Sequence, residues 1–172
     1  MAKGYQGRLN RRRSIVKIRL FPVISVIFAS MLPMLLPIIA NYPIVPPLGF
    51  MMFLAWRFLR PGLWPVWAAG LFGACDDLFS GQPFGSAIFS WSLVMIFMEL
   101  LDTRYVWREF WQDWFIAALF VMGVIVLSAI INLVFKVPAP PLVLLPQIIL
   151  SVCLFPLILR SVAWVDSKRL AA

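Results

Sequence analysis

Two adjacent acids, Asp76 and Asp77, sit in a run that is otherwise apolar or small: Gly73-Ala74-Cys75-Asp76-Asp77-Leu78-Phe79-Ser80-Gly81-Gln82-Pro83-Phe84-Gly85. Paired carboxylates can share a proton in aspartyl hydrolysis. Neighbouring residues on a helix point about 100° apart, so these two do not converge on one water. Gly73, Asp77 and Gly81 recur at intervals of four, and Gly85 continues the count. On a helix that spacing makes one face, where small residues admit a second helix at close range. Gly81 and Pro83 also punctuate the chain, ending one helix and turning it into the next. An aspartate in hydrocarbon costs about 2.5–3.5 kcal/mol at mid-bilayer and less near the edge. Asp77 is therefore expected to be hydrogen-bonded inside a bundle, capping the following helix or pinning the turn. An ion site or a partner-facing polar group is the alternative. Asp76, rotated off that face, is expected to reach toward the outer interface and to tolerate replacement.

Little else in the sequence could carry chemistry. There is no histidine, which removes the commonest metal ligand and the commonest neutral-pH base. No serine-nucleophile motif and no phosphate-binding glycine loop occurs, and neither a cofactor nor a metal site is expected. Cys75 and Cys153 lie in apolar sequence and read as buried structural thiols. Gln147 and Ser151 share a helical face and are expected to hydrogen-bond between helices. In Tyr105 to Trp114, the side chains of Trp107, Phe110, Trp111 and Trp114 follow one face. That pattern predicts an interfacial amphipathic helix leading into a span, as an anchor or a docking surface.

The elements that position these residues follow from composition. Of 172 residues, 63% are hydrophobic and 13% charged, where soluble domains carry about 25% charged residues. The apolar residues fall in long runs, and a bilayer crossing takes about 20 helical residues. Six runs are read as spans: Leu20–Ala40, Ile44–Leu59, Gly62–Phe79, Phe84–Leu101, Trp111–Phe135 and Leu142–Trp164. The second, opening at Pro46 and Pro47, is barely long enough. Residues 1–19 form a basic cytoplasmic tail, 20–164 the membrane domain and 165–172 a second cytoplasmic tail, with no separate soluble domain. The first span is expected to be retained and not cleaved as a signal peptide.

With a cytoplasmic N-terminus, every basic residue except Lys136 lies inside, as the positive-inside rule requires. Arg11-Arg12-Arg13, Lys17 and Arg19 read as topology signal and as attraction to anionic lipid. The net charge of +8 is assigned to these roles and not to nucleic acid. Trp56, Trp64, Trp67, Trp107, Trp111, Trp114 and Trp164 fall at cytoplasmic ends, as interfacial indoles do, and Trp91 falls within a span. Pro22, Pro33, Pro37, Pro146 and Pro156 predict a kinked bundle. The outer loops, Asn41 to Val45 and Lys136 to Pro141, are short.

Together the basic N-terminus, the six apolar runs, the second ending in Arg57-Phe58-Leu59-Arg60-Pro61, and the Gly73-x3-Asp77-x3-Gly81-x3-Gly85 motif resemble the rod shape-determining protein MreD family. The resemblance spans roughly Leu20 to Arg160, and its central motif is the specific part. It implies an all-α integral membrane fold similar to the substrate-binding subunits of energy-coupling-factor transporters. It also implies a non-enzymatic subunit of the cell-elongation machinery in the bacterial cytoplasmic membrane. The implied partners are an MreC-like bitopic protein and, directly or indirectly, MreB, RodA and a penicillin-binding protein. The rival class is a small-molecule-binding transport subunit, which needs a polar pocket near mid-bilayer; Ser90, Ser92, Ser128, Gln147 and Ser151 are its candidates.

Overall fold

The computed structural model describes residues 20–35, 45–104, 110–135 and 144–171. Among them are six helices and no strand: α1 (Leu20–Leu35), α2 (Leu48–Leu59), α3 (Ala68–Ser80), α4 (Ser86–Arg104), α5 (Phe110–Val134) and α6 (Leu144–Ala171). The architecture is all-α, as the apolar runs imply. Among the described residues, only α5 and α6 are long and apolar enough to cross a membrane, over Trp111–Val134 and Leu144–Lys168. Both leave most of their surface outside the protein core. Along α5 the exposed side chains Trp111, Phe115, Leu119, Met122, Val126, Ile130 and Leu133 follow one helical stripe. An apolar stripe of that extent suits lipid or an apolar partner.

α2 has 12 residues, a rise of about 18 Å. It is apolar all round and is the hub of the molecule, as such helices are when buried. Phe50, Met51, Phe53, Leu54, Ala55, Trp56 and Arg57 are each at most 1% exposed. Pro47, standing at its N-cap, lacks a donor that the first turn would leave free in any case. Phe53 stacks on Trp64 at 5.2 Å and on Trp91 of α4 at 5.3 Å, and Trp64 meets Phe72 of α3 at 4.8 Å. On the opposite side Phe58 meets Phe155 of α6 at 6.1 Å.

Here the structure corrects the expected third span. Its helix begins at Ala68 and not at Gly62. Arg60-Pro61-Gly62-Leu63 forms a tight turn, in which the Leu63 N–H donates to Arg60 O at 3.1 Å and Gly62 takes φ +80°. Proline followed by a left-handed glycine is the type II pattern. The turn folds Trp64 into the core, so Trp64, like Trp56, is a packing residue and not an interfacial one. Trp67, Trp111 and Trp164 remain exposed. The sixth helix in turn continues past Trp164 to Ala171. Cys75 is half-buried and Cys153 exposed on α6, so neither is a fully buried thiol.

Candidate functional site

The central motif builds the joint between α3 and α4. Helix α3 ends on Gly81, whose left-handed φ of +67° closes it. The chain re-enters a helix at Ser86, and the first amides of α4 have no partner within that helix. Asp77, 4% exposed, supplies one. Gly85 N–H donates to its Oδ2 at 2.8 Å, Ala87 N–H to Oδ1 at 2.9 Å and Ile88 N–H to Oδ2 at 3.3 Å. The Ser86 hydroxyl donates to Oδ1 at 3.0 Å. A carboxylate at the positive end of a helix dipole is favourable as well.

The four motif residues do not share one packing face. A Cβ on Gly73 would lie 2.6 Å from Ala87 O and 2.7 Å from Ile88 N, so Gly73 is where the two backbones touch. Above Gly81 and Gly85 there is open space; both have positive φ, and Gly85 lends its N–H to Asp77. Their glycine character is conformational, which corrects the reading of one small-residue seam.

Asp76 does not reach away from the protein. It is half-buried where α1, α2 and α3 meet. A Cβ on Gly49 would stand 2.8 Å from Asp76 Oδ1 and 2.0 Å from Ser30 Oγ, so both oxygens converge above the Gly49 backbone. The local spacing of the motif carries no sign of Ser30 or Gly49, because that contact comes from helices distant in sequence.

The opposite end of the bundle is held by charge. Arg57, 1% exposed, projects from the last turn of α2. Its Nη2 donates to Glu99 Oε2 at 3.0 Å and to Asp102 Oδ2, both on α4, while Nε and Nη1 are buried and have no hydrogen-bond partner among the described residues. Three residues on, Arg60 donates through Nε at 3.1 Å and Nη2 at 3.0 Å to Oδ2 of Asp166 on α6. These acids are not singled out by the sequence; the only signal is the pair of arginines at three-residue spacing in Arg57-Phe58-Leu59-Arg60, which read as topology and as part of the family resemblance. Removing one member of a buried pair costs about 3–5 kcal/mol, although the exposed Glu99 is screened and adds little.

The remaining expected sites are scattered. Trp107 lies outside the described residues, as do the basic tail and both outer loops apart from Val45. Phe110 opens α5, and the exposed Trp111 meets Trp114 edge-on at 6.2 Å. Trp114 Nε1 donates to Val152 O on α6 at 3.4 Å. Gln147 Nε2 donates between elements, to Val45 O at 2.8 Å, whereas Ser151 bonds within its own helix to Gln147 O at 2.6 Å. Among the described residues no three acids or cysteines cluster as metal ligands.

A family model described as rod shape-determining protein MreD matches residues 13–162. No match was found among curated proteins or among solved structures.

Proposed function

Because the chain belongs to the rod shape-determining protein MreD family, whose part is in setting cell shape, we propose that it is a non-enzymatic subunit of the bacterial cell-elongation machinery. It sits in the cytoplasmic membrane with six spans and both termini inside. There it scaffolds and regulates lateral peptidoglycan synthesis through helix contacts with an MreC-like bitopic protein. MreB, RodA and a penicillin-binding protein are reached directly or through that partner.

The observation that carries this reading is the family match over most of the chain. The polar groups support it. Asp77 is spent on four hydrogen bonds within the protein. Arg60 and Asp166 hold each other. Such groups fix a shape for recognition. The transport-subunit reading gains no support from the serines, since Ser90 donates to Ser86 O and Ser151 to Gln147 O along their own helices. The groove of about 470 Å³ between α4 and α5 is lined mainly by leucine, valine and phenylalanine.

Affinity purification of the tagged chain from native membranes tests the proposal. Co-recovery of wall-synthesis proteins is the expected result. Recovery of a transporter ATPase without them would overturn it.

A further inference from the structure

The outward stripe of α6 changes chemistry along its length. Leu145, Ile149, Cys153 and Leu157 are exposed at intervals of four. The same face then continues as Arg160, Trp164 and Lys168, all exposed. Lys168 Nζ lies 3.9 Å from the centre of the Trp164 ring, and Arg160 makes no ion pair among the described residues. The one acid in this segment, Asp166, is 7% exposed and turned inward to Arg60. That pairing fixes the rotation of the helix end and leaves its outer face basic and aromatic, with no acid and with only Ser161 and Ser167 exposed beside them. The helix has 28 residues, a length of about 42 Å, against a hydrocarbon core of about 30 Å. From Arg160 to Lys168 the rise is about 12 Å, the depth over which a helix leaves acyl chains and passes the headgroups.

We propose that Arg160, Trp164 and Lys168 form a binding surface for anionic phospholipid headgroups at the end of α6 where Arg60 and Asp166 pair. The cations meet the phosphate diester and the indole lies at the level of the ester groups, where amphipathic rings settle. The inference rests on the membrane placement given above and is independent of the role in elongation.

The test uses the full chain in phosphatidylcholine vesicles carrying an equal fraction of dibrominated phosphatidylglycerol or dibrominated phosphatidylcholine. The Trp164 signal is the difference between the chain and its Trp164→Phe variant. Brominated phosphatidylglycerol is expected to quench Trp164 about two to five times more effectively, one basic side chain at a membrane surface being equivalent to about fivefold. Arg160→Gln with Lys168→Gln should bring the ratio to one, while Arg160→Lys with Lys168→Arg should keep it, which separates lost charge from lost fold. A ratio of one in the unaltered chain, or a ratio unchanged in the double glutamine variant, overturns the proposal; the latter would assign the lipid to the N-terminal basic run. Absence of quenching by either lipid would overturn the placement of α6 itself.

Discussion

Asp77 and Asp76 are neighbours with different neighbours. Asp77 was legible because the spacing of Gly73, Asp77 and Gly81, followed by Pro83, puts a carboxylate one turn before a helix end and a few residues before a helix start. Asp77→Ala leaves the amides of Gly85, Ala87 and Ile88 without this acceptor, and a loss of about 1–3 kcal/mol is expected. A lower unfolding temperature in detergent and rounded cells in a strain carrying only this variant would show it; normal rods at normal membrane levels would refute it. Asp76 was misread because a 100° rotation says where a side chain leaves and not what waits there. What waits is the Gly49 backbone with Ser30 beside it. Gly49→Ala is therefore expected to destabilise the protein by about 1–3 kcal/mol, as overpacking does. Adding Ser30→Ala should return part of that loss in a double-mutant cycle. Strict additivity of the two changes would mean that the oxygens do not converge there.

Among the elements, α5 matched its expected bounds within a residue, because a long apolar run with no proline and a single isolated glycine has one reading. α3 was expected six residues too early, since Pro61, Gly62, Leu63, Trp64 and Pro65 are as apolar in composition as a span. The turn they form is dictated by backbone restriction and not by hydropathy. The two motif glycines can be separated on the same ground. Asparagine tolerates left-handed φ, so Gly81→Asn should fold nearly normally, whereas Gly73→Asn should not, because Ala87 O stands 2.6 Å from its Cβ. Membrane-extracted yield and unfolding temperature measure both; equal tolerance would remove the close approach of α3 and α4. Between α2 and α6, Arg60→Asp and Asp166→Arg should each destabilise the protein. Combining them should restore much of the loss, since the pair faces each other through two hydrogen bonds. No recovery would mean that the pair contributes only by shape.

For the whole molecule, the charge pairs give topology a physical form that counting arginines lacks. The C-terminal ends of α2, α4 and α6 are tied together by Arg57, Glu99, Asp102, Arg60 and Asp166, so these three helices run parallel. If that end is cytoplasmic, a cysteine at position 103, in a chain freed of Cys75 and Cys153, is shielded from an impermeant thiol reagent applied outside. One at position 139 reacts; labelling at 103 from outside would invert the arrangement. The central position of α2 also has a consequence for synthesis. This helix leaves the ribosome second, yet Arg57 meets its acids 42 and 45 residues later, and Arg60 meets Asp166 only 106 residues later. Until Asp102 is made both guanidinium groups lack their acids, and from there to Asp166 Arg60 alone waits, on a helix of 12 residues that depends on its neighbours. A chain stopped before the last helix thus leaves Arg60 without its acid and Phe58 without Phe155, and finishing that helix supplies both. Completion of the chain is thereby tied to closure of the ion pair that joins its second helix to its last.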